Sequence, residues 1–444
     1  MLNAEKYILV RDGVNGGDDI FGVNDISAEL GTFSDSKKAP IHRWFQYPAG
    51  FSYKAVNLVC RANEITAEDI VYDPFVGTGT TVVECKRKGI PSIGVEAHPL
   101  VWEVAKNKVN WDIDSSELYK TILELKKDID NGLGTFEGIN IAPLPELLYK
   151  CFSEDNLKKL LFIKYAIDKP GYELFRGLFT TTLVCALRRA SKAATGWPYI
   201  SPKHVIAETD AFDAFKLQLK DVYEDLVAVA GTRRRTKSDI LLEDARKTDI
   251  KNDSVDLVFT SPPYLNNYDY ADRTRLESYF VGFANSWGEI TRKVRDKLII
   301  AATTQIRRTE YEVGDIVSDT IREANTELAG EIQKTVDALS EIRNRKAGKK
   351  SYDIMVGQYF NDMAEVLSDC YRVLKKGSCF ILILGDSAPY GVHVPTETIL
   401  AKLGISIGFN KFTITELRKR GDKWKANPQR HKVKLRESIL TLKK

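Results

Sequence analysis

The chain has 444 residues, and its 65 Lys and Arg against 61 Asp and Glu leave a net charge of +4 with His neutral. Hydrophobic residues make up 43% and charged residues 28%. That balance excludes a collagen-like, disordered or disulfide-stapled chain and allows two or three domains, or one domain with insertions. No apolar run approaches the roughly 18 residues needed to cross a bilayer. The opening MLNAEKYILVRDG lacks the apolar core of a secretory signal. A cytoplasmic protein with no membrane partner is expected. Its six cysteines include no CxxC pair, and its five histidines show no metal-ligand spacing, so no metal is expected.

Residues 1–40 are rich in Gly, Asp, Asn and Ser and read as a loop-rich arm. Within 41–111, the segment His42–Arg61 carries Trp44, Phe45, Tyr47 and Phe51 ahead of an apolar helical stretch. A strand at Asp69–Phe75, a turn, a helix at Thr81–Lys88, a strand at Pro91–Glu96 and a helix at Pro99–Val109 follow. Spacing this tight implies βαβ units in a parallel sheet. Residues 112–235 read as a mostly helical insertion, with a turn-rich interruption at Thr195–Pro202. The sheet resumes in 236–284 with Asp239–Leu242 and Val255–Thr260. A second helical insertion, 285–350, holds an amphipathic helix whose stripe (Ile321, Ala324, Leu328, Ile332, Val336, Leu339, Ile342) packs on the core. Residues 351–444 add strands at Ser378–Leu384, Lys411–Glu416 and Glu437–Leu442. The fold class is α/β: a doubly wound, mostly parallel seven-stranded sheet with two helical insertions. The last connection is too short for a parallel crossover, so the final strand is expected to run antiparallel.

Two motifs carry chemistry. The first, Tyr72-Asp73-Pro74-Phe75-Val76-Gly77-Thr78-Gly79-Thr80-Thr81, leaves a strand and enters a helix. Gly77 and Gly79 let a ligand approach the backbone. Glu96 ends the next strand, where an acid in doubly wound sheets binds ribose hydroxyls. The spacing is not the GxGxxG of dinucleotide binders, and Asp73 would repel a pyrophosphate. A nucleoside with a positive centre, such as S-adenosylmethionine, fits better than NAD. The second motif, an apolar strand running into Ser261-Pro262-Pro263-Tyr264, fixes a rigid turn at a strand's C-terminal end. Its free carbonyls and Ser261 could hold an amino group, and Tyr264 could stack on a base. That suits methylation of an exocyclic amine with no covalent intermediate. Taken alone, each motif could be a structural turn.

Together the motifs resemble the S-adenosylmethionine-dependent amino methyltransferases of DNA. DPFVGTGTT is similar to their cofactor loop, and TSPPY to their catalytic tetrapeptide in its cytosine-N4 form. Adenine-N6 enzymes more often carry Asp or Asn at the place of Ser261. The resemblance implies a Rossmann-like methyltransferase fold whose catalytic domain comprises 41–111, 236–284 and 351–444. It implies S-adenosylmethionine held by Tyr47, Phe51, Asp73, Phe75, Gly77, Gly79, Thr80, Glu96 and Asp244, with Ser261, Pro262, Pro263 and Tyr264 at the target base. Gly385-Asp386-Ser387 resembles the loop shaping the base pocket. Asn266, Asn267, Tyr268 and Asp269 follow the tetrapeptide and are expected on the pocket wall.

A target amine inside double-stranded DNA requires the base to be flipped out. Between Arg418 and Arg436 stand nine Lys and Arg against one acid. Arg418, Lys419, Arg420, Lys423 and Lys425 there are expected to grip phosphates, although such a run could also be a solvated face. Arg188, Arg189, Lys192 and Trp197 in the first insertion are expected to touch the nucleic acid, with Trp197 and Tyr199 equally readable as core anchors, and that insertion could read the target. The resemblance leaves room for a companion restriction or defence nuclease. Competing readings are an adenine-N6 enzyme, a tRNA guanine-N2 methyltransferase with a similar cofactor loop, and a non-catalytic nucleic-acid-binding protein on the same scaffold.

Overall fold

The computed structural model describes residues 10–11, 29–45, 50–132, 136–141, 143–194, 199–230, 236–420 and 433–444. Tyr47, Trp197, Lys423 and Lys425 lie outside the described residues. The strands are β1 (Val10–Arg11), β2 (Val71–Asp73), β3 (Ser92–Val95), β4 (Ala193–Ala194), β5 (Ser201–Val205), β6 (Ser238–Leu241), β7 (Val255–Thr260), β8 (Leu374–Gly385), β9 (Lys411–Arg420) and β10 (Leu435–Lys443). All seven expected strands form one sheet in the order β9-β10-β8-β7-β2-β3-β6, and the two-residue β1 adds a parallel pair outside β9. The pairs from β8 to β6 are parallel, while β10 runs antiparallel to both β8 and β9.

The central strands are apolar because both sheet faces are covered. On one face Tyr72, Val258, Phe380 and Leu382 pack against the helices Tyr352–Val373 and Thr396–Ile407. On the other, Val71, Leu257, Phe259, Ile381 and Ile383 meet the helix Tyr53–Ala62 and Cys85 of the helix Thr80–Lys88. The parallel strands β2, β3, β7 and β8 all end at one rim. Both motifs therefore emerge there, where doubly wound sheets bind ligands. A bulge interrupts the β9–β10 ladder. Glu437 pairs with Arg418 and Ser438 with Glu416, which leaves Leu417 as the extra residue.

Residues 112–235 build a helical layer with its own core. Leu118, Leu125, Leu157, Leu160, Phe179, Phe215, Leu219 and Val222 are buried there. Two antiparallel strands, β4 and β5, flank the turn-rich interruption. Two alanines and Ser-Pro-Lys-His-Val carry no alternating pattern, so the sequence gives no strand signal there. The single amphipathic helix expected in the second insertion is two helices, Asp319–Ala324 and Thr326–Arg345. Asn325 breaks it: its backbone is extended and its side chain caps Leu328 N at 3.0 Å. Ile321, Leu328, Ile332, Val336 and Leu339 are buried as expected, whereas Ala324 is exposed and Ile342 only half-buried. Among the described residues, no helix is long and apolar enough to cross a membrane.

Candidate active site

Gly77 (φ +52°) and Gly79 (φ +90°) both take left-handed backbone, which lets the chain turn from β2 straight into the helix Thr80–Lys88. Asp73 braces this turn from below. Its buried carboxylate accepts hydrogen bonds from Thr81 Oγ1 (2.6 Å), Thr260 Oγ1 (2.6 Å) and Phe75 N (3.0 Å). Burial raises its pKa to about 6 against the pull of these donors. The expected attraction of Asp73 for a cationic ligand is corrected accordingly: the carboxylate is spent on internal donors that tie β2 to β7. The buried Lys108 ammonium lies under the same turn and donates to Thr78 O at 2.9 Å, and burial lowers its pKa to about 8.

The turn opens onto a cleft enclosing about 940 Å³ of empty space, part of it open to solvent. Phe51, Phe75, Gly77, Thr80, Glu96, Asp244, Ser261 and Pro263 all line it. The sequence placed these residues on five separate segments, and the sheet gathers them at one rim. Phe51 is held edge-on to Phe259 with ring centres 5.1 Å apart. Glu96 accepts from His98 N at 2.8 Å, and burial raises its pKa to about 7. Asp244 faces the cleft while paired with Arg246, whose Nη2 lies 2.6 Å away.

The tetrapeptide behaves differently from expectation at its last residue. Ser261 and Pro263 face the cleft, but the Tyr264 ring is buried and does not line it. Its hydroxyl donates to Glu437 Oε1 at 2.8 Å, and Ser261 Oγ donates weakly to the same hydroxyl at 3.5 Å. Arg418 Nε donates to Glu437 Oε2 at 2.6 Å, and the Arg420 guanidinium sits 5.3 Å from the Tyr264 ring centre. The stacking role expected of Tyr264 is thus corrected: it anchors the turn to β9 and β10. Glu437, an acid heading a run of apolar strand residues, was missed. Its placement against the apolar pattern was the available signal.

Part of the cleft wall was not foreseen. Tyr270, Lys297, Leu298, Ile299 and Gln305 line it, and no motif marks them. Asp269 holds this wall in place. Its buried carboxylate accepts from Arg295 Nε (3.0 Å) and Thr304 Oγ1 (2.7 Å), bracketing the segment between them. Asn266, Asn267, Tyr268 and Asp269 do not themselves line the cleft. Asp386 is likewise turned inward, accepting from Arg436 N at 2.8 Å and facing His393 Nε2 at 2.8 Å.

Several cations expected on nucleic acid are engaged within the protein. Arg188 is bound to the fully buried Glu277 at 2.6 Å, and Arg418 and Arg420 hold the Tyr264 cluster. Arg189 pairs with Asp221 at 3.2 Å. Lys192 and Lys419 have no ion pair among the described residues, and Lys419 is exposed. No group of three or more potential metal ligands occurs among the described residues.

A mostly parallel seven-stranded sheet with one reversed strand brings the glycine turn together with Ser261 and Pro263 at one cleft, the arrangement that the resemblance to amino methyltransferases implies. The sequence model of the DNA methylase family matches residues 20–107, a span holding the glycine turn. The chain is 24% identical over 410 residues to the type II methyltransferase M.AvaI of Nostoc sp., covering 87% of this chain and 82% of that protein. It is 24% identical over 464 residues to type II methyltransferase M.BsoBI of Geobacillus stearothermophilus, covering 93% and 87%. Against type II methyltransferase M.MjaII of Methanocaldococcus jannaschii it is 38% identical over 108 residues, covering 23% and 20%. In its site and over these spans the chain is similar to the amino methyltransferases of DNA.

Proposed function

We propose that the protein transfers a methyl group from S-adenosylmethionine to the exocyclic N4 of a flipped-out cytosine in double-stranded DNA, as the modifying partner of a restriction or defence nuclease. The observation that carries this reading is that Phe75, Gly77 and Thr80 of the glycine turn and Ser261 and Pro263 of the second turn line one cleft. When bound, S-adenosylmethionine supplies an electrophilic sulfonium methyl. The cleft suits it in two respects. Phe51, Phe75, Val76 and Ile299 offer apolar surface to a purine, and Glu96 offers acceptors to a diol. Asp244 faces the same cleft and is the acceptor for a purine amino group.

The rest of the site serves the amine. Ser261 Oγ and the carbonyls of the two-proline turn accept its N–H groups, which frees the nitrogen lone pair from the ring. The amine gains the methyl group as its bond to sulfur breaks, the neutral thioether S-adenosylhomocysteine is left to depart, and the amine gives up one proton, which Ser261 Oγ can accept while passing its own to solvent. Tyr264 fixes the turn from behind through Glu437, and the Tyr270 ring on the cleft wall is the aromatic surface for the base.

The test is mass spectrometry of nucleosides from DNA incubated with enzyme and labelled donor. N4-methylcytosine is the expected product. N6-methyladenine would overturn the base assignment. Label in RNA and none in DNA would overturn the substrate.

A further inference from the structure

We infer that the hairpin β4–β5 reads double-stranded DNA from the major groove beside the target base, an inference that rests on the function proposed above. Its position is the first observation. Tyr199, between the two strands, accepts a hydrogen bond at its hydroxyl from Asp269 N at 2.9 Å. Asp269 directly precedes Tyr270 of the cleft wall, and consecutive Cα atoms lie about 3.8 Å apart. The hairpin is therefore pinned one residue from the pocket.

Its base is rigid. The buried Asn156 side chain donates to Ala190 O (3.1 Å) and Thr209 O (2.9 Å), on either side of the hairpin, and accepts from Ala211 N at 2.9 Å. Ser191 Oγ donates to Cys151 O at 3.0 Å. Glu208, just past the hairpin, accepts from Ser153 N at 3.2 Å.

Its surface is the third observation. Lys203, His204, Val205 and Ile206 are exposed in sequence, with Val205 75% and Ile206 45% accessible. Lys192 and Lys203 have no ion pair among the described residues. Two aliphatic side chains beside free cations have no use in the fold. They match the major groove, where a two-stranded ribbon fits, lysine meets guanine or phosphate, and aliphatic groups meet the thymine methyl. The five residues of β5 span about 17 Å at about 3.3 Å each, roughly five base-pair steps. Duplex RNA is disfavoured, because its deep, narrow major groove does not admit such a ribbon.

The test is the Lys203→Ala/Val205→Ala double variant of the full chain. Both positions are exposed, so the fold should be preserved, and calorimetry with S-adenosylmethionine checks this. Methylation is then mapped on a plasmid library with randomised bases around the target. The expected result is unchanged cofactor affinity, a kcat/KM on the preferred sequence lower by about tenfold or more, and flattened preference at flanking positions. An unchanged rate and unchanged preference would overturn the inference. If the double variant loses cofactor binding, the two single variants are read against the same criteria and decide. A wild-type protein that methylates no DNA would instead sink the function on which the inference rests.

Discussion

The two walls of the cleft are built in different ways. The glycine-turn part of the wall proposed for the cofactor is local: Phe75, Gly77 and Thr80 fall within six residues, with Glu96 just past the adjoining strand. The wall proposed for the base is assembled at long range. Ser261 and Pro263 are backed by Tyr264, Glu437 and Arg418, and flanked by a segment that Asp269 clamps through Arg295 and Thr304. A local wall can form wherever its turn forms. The assembled wall depends on β9, β10 and the second insertion all being in place, so a defect far from Ser261 should damage turnover more than cofactor binding.

The largest expected effect separates the walls outright. Ser261→Ala should cut methyl transfer by about 100-fold or more while leaving cofactor affinity nearly intact. Labelled-methyl transfer and calorimetry measure the two sides, and a matching loss of both would show that the walls are not independent. Next comes Glu437→Ala, which strands the Tyr264 hydroxyl and the Arg418 guanidinium. Leaving such buried donors unpaired costs about 1–3 kcal/mol, and the lower half is expected because Arg418 is one-third exposed. Urea unfolding checks the stability. Turnover should fall with it while cofactor affinity holds, which would extend the contrast to a residue outside the cleft.

The smallest effect belongs to the cofactor wall. Glu96 titrates at about 7, and only its ionised form accepts two hydrogen bonds from a diol. Affinity for S-adenosylmethionine should therefore be fully present above that pH and weaken as pH falls through it, on the order of fivefold between pH 7.5 and 6. Glu96→Gln should be weaker throughout and lose this step. A pH-independent wild-type affinity would remove Glu96 from the diol.

The same contrast explains what could be read beforehand. Gly77, Gly79, Glu96 and Ser261 declare themselves because turn chemistry and strand ends are written in consecutive residues. The seven strands were legible because Val255–Thr260 and Cys379–Leu384 are apolar over lengths that only a doubly covered strand requires. Leu298 and Ile299 were not, because an apolar pair in an insertion looks the same whether it lines a cleft or fills a core. Arg418 and Arg188 look like surface cations in sequence. Their buried carboxylate partners, Glu437 and Glu277, lie 19 and 89 residues away, and nothing local announces them. Asn325 interrupts an otherwise continuous helical stripe through a cap that periodicity does not register.

The irregularity at Leu417 decides which charges meet. Were the β9–β10 ladder unbroken, Leu417 would stand opposite Glu437, and Arg418 would be carried one step on to face Arg436. Two guanidinium groups would then oppose each other across the strands, and like charges so placed repel. Bulging Leu417 out of the ladder, rather than pairing it, thus keeps the attractive rung behind the tetrapeptide and avoids the repulsive one. Excising Leu417 should spare that rung, whereas lengthening β9 by one residue on either side of it should undo the match.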